Sequence, residues 1–167
     1  PELTGTHPYA PATQTRGWRL LLDGLAERLA RLTGYDRCSL QPASGAHGEL
    51  TGLLAVRGYL SATGQQQRDL VLVPASAHGT NAASAAGAGF GVTVVATAED
   101  GSVDVEHLRS LLAAHGERVA AIMLTYPSTH GVFEPQVTEV TALVHEAGGQ
   151  VYIDGANLNA LTGLLRP

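Results

Sequence analysis

The sequence predicts an α/β fold in which a mostly parallel sheet is flanked by helices. Three observations carry that prediction. Short apolar, β-branched runs alternate with helical stretches, polar clusters containing glycine fall just after those runs, and no low-complexity linker or solenoid-length repeat breaks the order. The chain has 167 residues, 44% hydrophobic and 15% charged, so one core is expected and residues 1–167 read as a single domain fragment. Aromatic residues make up only 5%, which leaves Ala, Val, Leu and Gly to fill the interior.

Over 15–32 the apolar residues Trp18, Leu21, Leu22, Leu25, Leu29 and Leu32 recur at three and four, one stripe of a helix, and Gly34 is placed to end it. Ser39, Leu40 and Gln41 read as a short strand running into the small-residue turn at 42–46, with a second helix over about 49–59. Leu70-Val71-Leu72-Val73, bounded by Pro74, reads as a buried strand, and 81–87 as an Ala-rich helix. A strand at 92–97, a turn at Asp100-Gly101 and a helix capped by Asp104, carrying Leu108, Leu111 and Leu112, come next. A strand at 119–125, a helix at 137–146 ended by Gly148-Gly149, and a strand at 151–153 closing on Asp154 complete the order.

Strands and helices alternating at this spacing imply right-handed crossovers. In such sheets ligands collect outside the carboxyl ends of the strands. Four polar clusters fall at those ends: Ser44-Gly45-Ala46-His47-Gly48, Ser76-Ala77-His78-Gly79-Thr80-Asn81, Thr125-Tyr126-Pro127-Ser128-Thr129-His130-Gly131 and Asp154-Gly155-Ala156-Asn157. Four turns on one edge can build one pocket.

Charge and composition exclude several classes of function. A net charge of -5 without a basic run offers no footprint for a nucleic-acid backbone. Neither a basic-then-apolar leader nor an apolar run long enough for a bilayer is present, so the expectation is a soluble chain without a membrane partner, cytoplasmic or, in a eukaryote, in the mitochondrial matrix. The single cysteine, Cys38, cannot form an internal disulfide, has no nearby His in sequence, and is expected to pack. All ten basic residues are arginine. The chain thus contains no lysine, and the Pro1 nitrogen, a secondary amine, is its only amine. It begins without Met and stops at Arg166-Pro167 just after an apolar segment, and it reads as a piece of something longer.

Each cluster has a plain and a chemical reading. A turn such as 44–48 ahead of a helix presents backbone N–H groups and a partial positive charge to a phosphate, yet many such turns are small for steric reasons alone. It fits neither the Walker pattern nor a dinucleotide turn. His78 can be a metal ligand, a general base or a flat ring against a planar cofactor, with a water-facing turn histidine as the plain alternative. Neither His78 nor His130 has His or acidic partners at metal-binding spacing, so no metal is expected. Ser128 and His130 lack the Gly-x-Ser-x-Gly elbow of a serine hydrolase. Asp154 is either a turn former before Gly155 or a carboxylate placed to hold a protonated ring nitrogen.

Taken together, the segments beginning at Ser76, Thr125 and Asp154, the last continuing through Leu158-Asn159-Ala160, closely resemble the carboxyl-terminal half of the glycine decarboxylase family, the P-protein of the glycine cleavage system. His7-Pro8-Tyr9-Ala10-Pro11 and Gln41-Pro42-Ala43-Ser44-Gly45-Ala46 extend the resemblance along the chain. It implies pyridoxal phosphate as cofactor and part of the large domain of fold type I pyridoxal-phosphate enzymes. It further implies Gly45, Ala46 and His47 near the phosphate, His78 stacked on the pyridine ring, Asp154 on the ring nitrogen and Asn157 near the ring hydroxyl. Thr125 and His130 fall on the substrate side, and catalytic roles on His78, His130 and Thr125. His47 departs from the family, which often has Gln or Ala there.

The activity implied is decarboxylation of glycine with transfer of the aminomethyl group to the lipoyl arm of H-protein, in a homo-oligomer or paired with the other half of the P-protein. The family's cofactor-bearing lysine follows a His in a segment beyond Pro167, so this chain is expected to be a partial site without turnover of its own. Two alternatives stay open: another fold type I enzyme, of the cysteine desulfurase or serine hydroxymethyltransferase kind, and a truncated, non-catalytic domain that binds only cofactor or a partner subunit.

Overall fold

The apolar runs pair as a parallel sheet of β1 (Leu70–Pro74), β2 (Gly91–Val95), β3 (Val119–Thr125) and β4 (Gln150–Asp154), in the spatial order β2-β1-β3-β4. Leu70 pairs with both Gly91 and Val119, and Thr125 pairs with Asp154. The structure is a computed structural model that describes residues 5–7 and 9–167. Pro1, with its amine, and Pro8 of the His7-to-Pro11 cluster lie outside the described residues. The chain divides into two compact units, one holding Pro42–Ala160 and the other Pro1–Gln41 with Leu161–Pro167.

Within the first of these, period-two alternation sends the strand side chains to opposite faces. Leu70 and Leu72 of β1, with Ile122 and Leu124 of β3, point to the face covered by α4 (Val105–His115) and α5 (Val137–Glu146), where Leu108, Val140 and Val144 are fully buried. Val71, Val73, Ala121 and Met123 point to the other face, under α2 (Gly45–Ala62) and α3 (Gly79–Gly87), against Leu53, Leu60 and Ala85. Each fully buried Leu contributes about 1.5–3 kcal/mol. Both faces of β1 and β3 are covered, which is why these strands read as unbroken apolar runs.

The helix starts follow from their caps. The Asp104 side chain accepts from the His107 N–H at 2.9 Å, as its position predicted. Ser44 Oγ accepts from the His47 N–H at 3.2 Å, and α2 therefore begins at Gly45, ahead of the predicted start near 49. The small residues 45–48 concealed that first turn. Likewise α3 starts at Gly79 rather than 81, and β2 stops at Val95 rather than 97. Arg68 ties the entrance of β1 to that of β3, donating to the Gly116 and Val119 carbonyls at 2.9 and 2.8 Å.

In the second unit, α1 (Arg16–Thr33) ends as predicted at Gly34, whose φ of 83° is left-handed and whose N–H donates to the Ala30 carbonyl at 2.8 Å. None of the α1 residues is buried; Leu21 is 60% exposed. The periodicity thus specified the helix but not a cover for its stripe. Ser39, Leu40 and Gln41 form no strand: three residues without a pairing partner cannot make a ladder. Cys38 is a half-buried free thiol. No helix among the described residues is long and apolar enough to cross a membrane.

Gly149 sits where β4 enters the sheet, and a Cβ there would lie 2.9 Å from Val144 Cγ1 and 3.2 Å from Val119 Cγ1. Both valines are fully buried. Gly149→Ala should therefore lower stability by about 1–3 kcal/mol in urea denaturation. Gly58→Ala, where the added methyl meets nothing within 4 Å inside α2, should raise it by about 0.5–1 kcal/mol.

Candidate functional site

The order β2-β1-β3-β4 makes a switch point. From β1 the chain crosses one way, to β2, and from β3 it crosses the other way, to β4. The crevice between the carboxyl ends of β1 and β3 is where such sheets bind ligands. Hydrogen bonds join the turns that leave these ends. The His78 N–H donates to Thr125 Oγ1 at 3.0 Å, Thr129 Oγ1 donates to the Ser76 carbonyl at 2.8 Å, and the Tyr126 N–H donates to the Asp154 carbonyl at 3.0 Å. His78, Thr125 and Asp154, chosen from three separate clusters of the sequence, are thereby brought to neighbouring strand ends.

Asp154 is only 7% exposed. Its Oδ1 accepts from the Ala156 N–H at 3.0 Å, while Oδ2 is buried without a partner. An oxygen left this way costs about 1–3 kcal/mol. His78 occupies the N-cap position of α3, but its imidazole makes no capping bond and stays uncommitted. It is half-buried.

The turn at 44–48 is the N-terminus of α2, where Ser44 satisfies the His47 N–H and the groups of Gly45 and Ala46 lie in the first, unpaired turn. His47 is exposed, and its Nδ1 accepts from the Ala43 N–H at 3.1 Å, so its ring braces the turn. Asn157 donates through Nδ2 to the Pro127 and Ser128 carbonyls at 3.0 and 3.3 Å, which leaves its Oδ1 as the free end. His130 is exposed, its N–H donates to Ser128 Oγ at 3.3 Å, and its ring lies beside Gly101. Gly101 belongs to the connection from β2 to α4, and Thr129, the residue before His130, is bonded to the Ser76 carbonyl.

Three further residues were given no role by the sequence reading, although Asn81 and Tyr126 lie in its clusters. Glu49, 4% exposed, accepts from Thr80 Oγ1 at 2.9 Å and from Ser84 Oγ at 2.8 Å. A signal for it existed: Glu49, Leu53, Val56 and Leu60 form one helical stripe, which puts a carboxylate on an apolar face. Asn81 is fully buried with both amide atoms unpartnered, and the buried Tyr126 hydroxyl has no partner either. Burial, aided by the nearby Glu134 carboxylate, pushes the Tyr126 phenol above its ordinary pKa. Among the described residues no group of His, Cys, Asp or Glu is assembled for a metal ion. A cleft of about 1160 Å³, lined by the second half of α1 together with 34–38 and 163–166, holds none of the predicted site residues.

No family model matches the chain. Among curated proteins, glycine dehydrogenase (decarboxylating) of Gluconobacter oxydans is 59% identical over 167 residues and that of Bordetella avium 56% identical over the same span. Along its whole length the chain matches glycine dehydrogenase (decarboxylating). The family resemblance read from the sequence therefore holds, and the chain spans 18% of the length of these glycine dehydrogenase relatives.

Solved structures agree on the fold. The sphingosine-1-phosphate lyase of Burkholderia pseudomallei superposes with a TM-score of 0.75 at 20% identity, over 93% of this chain and 39% of that one. An inhibitor-bound glycine decarboxylase (P-protein) of the glycine cleavage system gives 0.71 at 23% identity, over 90% and 32%. An Oryza sativa TDC solved with PLP and tryptamine gives 0.61 at 16% identity, over 81% and 36%. The predicted class, α/β with a mostly parallel sheet flanked by helices, is the one observed, and these solved structures share its fold.

Thr125 is 7% exposed and its hydroxyl is the partner of the His78 N–H. Thr125→Val, nearly the same shape, should cost about 1–3 kcal/mol by stranding that N–H. Thr125→Ser, which keeps the hydroxyl, should recover most of the loss in the same thermal or urea measurement.

Proposed function

We propose that the chain is a pyridoxal-phosphate-holding part of an enzyme that removes carbon dioxide from glycine and passes the remaining aminomethyl group to the lipoyl arm of H-protein. The observation that carries this reading is Asp154 Oδ2, a buried carboxylate oxygen without a partner at the carboxyl end of a strand, beside the switch point. A protonated ring nitrogen is the kind of group it lacks, and the name of the relatives supports decarboxylation of glycine. Pyridoxal phosphate, when bound, supplies an electron sink for the pair released as a carboxylate departs.

The residues divide the work. Asp154, its Oδ1 fixed by the Ala156 N–H, would keep the ring nitrogen protonated through a charge-assisted bond of about 1.5–3 kcal/mol. His78 would lay its uncommitted ring along the pyridine, held in place because its own N–H is anchored on Thr125. Gly45 and Ala46 would offer first-turn N–H groups of α2 to the phosphate, with Ser44 and His47 shaping the turn through their bonds to the His47 and Ala43 N–H groups. Asn157 would hold the 127–128 loop, and through its free Oδ1 would accept from a ring hydroxyl. Thr125 and His130 remain the residues assigned to the substrate side, and a homo-oligomer or a pairing with the other half of the P-protein remains the proposed assembly.

Because the chain contains no lysine, it can hold the cofactor only without a lysine linkage. Borohydride reduction of the chain with pyridoxal phosphate should therefore leave no stoichiometric adduct at an internal residue by peptide mass analysis. Asp154→Asn tests the central assignment. It should keep the fold, by circular dichroism, while weakening pyridoxal-phosphate binding by about tenfold or more, the counterpart of a lost charged hydrogen bond. Carbon dioxide release from labelled glycine in the full-length protein should fall with it. Unchanged binding and unchanged release would sink the reading.

A further inference from the structure

The proposed site draws its two ends from different helices. The phosphate end is the N-terminus of α2, and the ring end is His78 at the N-terminus of α3. A cofactor of fixed length can meet both only if the two N-termini stand at a fixed separation. Apolar packing between helices tolerates sliding and repacking, so something directional is needed.

Glu49 is the directional contact. It lies one turn into α2, just past Gly45 and Ala46, and both its carboxylate oxygens receive hydroxyl bonds from α3, at 2.9 Å from Thr80 and 2.8 Å from Ser84. Thr80 and Ser84 are four apart and share one face of α3, and Thr80 is two residues from His78. Among the described residues no basic side chain bonds to Glu49, and its hydrogen-bond partners there are these two hydroxyls. A carboxylate held this deep, 4% exposed, is poor value for stability, since an apolar side chain of similar volume generally packs there at no loss. Its bonds fix one register between α2 and α3.

We infer that Glu49 is a positioning residue for the phosphate turn, setting the separation between the N-terminus of α2 and His78. The inference rests on the pyridoxal-phosphate reading above and adds a member to its machinery. It predicts a selective defect: loss of Glu49 should weaken binding of the ligand that spans both ends, not of one that occupies only the ring end.

The test compares pyridoxal phosphate with pyridoxal, which lacks the phosphate, by absorbance titration of the wild-type chain, Glu49→Gln and Glu49→Met, with folding followed by circular dichroism. Glu49→Gln keeps an acceptor for one hydroxyl and a donor for the other, and should stay within about twofold of wild type for both ligands, while Glu49→Met should lose about tenfold, equivalent to about 1.4 kcal/mol, for pyridoxal phosphate and about twofold or less for pyridoxal. Should Glu49→Met fail to fold, Ser84→Ala, which removes one of the two bonds, reads the same ratio. Equal losses for both ligands, or none for either, would overturn the positioning role while leaving the site itself in place. Absence of saturable pyridoxal-phosphate binding in the wild-type chain would remove the underlying reading, and the inference with it.

Discussion

The parallel pairing of β1 with β3 is the constraint on which the rest depends. It joins segments far apart in sequence, Leu70 with Val119 and Leu72 with Ile122, and it alone sets the turn after β1 against the turn after β3. Without it His78 has no Thr125 to receive its N–H, and Asp154, which reaches the edge as the partner of Thr125, faces nothing. The core serves this pairing from both sides, with Leu72 and Ile122 on one face and Val71 and Met123 on the other. Site and core are thus two consequences of one register.

The groups at this edge break the rules that the core obeys. In β1 and β3 every buried side chain but that of Thr125 is apolar, whereas Asp154 at the end of β4, Asn81 in α3 and Tyr126 just past β3 bury a carboxylate oxygen, an amide and a hydroxyl without partners. Local violations of this kind collect where a protein is built to meet something other than itself. For Asp154 the proposed occupant is a protonated ring nitrogen. For Asn81 and Tyr126 nothing in the structure explains the missing partner.

Much of this was legible in the sequence, for identifiable reasons. Strand β3 and helix α5 matched their predicted bounds because a β-branched run and a periodic stripe with a glycine stop are strong local signals. The Asp104 cap was visible because its side chain acts three residues away. Ser39-Leu40-Gln41 misled because strand character belongs to a pair, and no partner is encoded nearby. The α1 stripe gave the helix but not its surroundings. Strand-end clusters offered His78, Thr125 and Asp154 as candidates and the family resemblance gave them roles, whereas His47 proved to spend a bond on its own turn and Asn157 on the 127–128 loop. Glu49 lay in plain view on an apolar stripe. A buried acid reads as a surface residue until the stripe is counted through it.

The strand order also ranks the joints by loop length. β1 and β2 are joined through α3, and β3 and β4 through α5, so each pair closes over a shorter loop and at smaller entropic cost. The pairing of β1 with β3 closes over α3, β2 and α4 together, the longest loop of the three. The bond from His78 to Thr125 spans that joint, so the crevice depends on the costliest closure in the sheet. A chain with both halves formed and the joint still open would already show most of its helix and strand, yet would have no pocket at all.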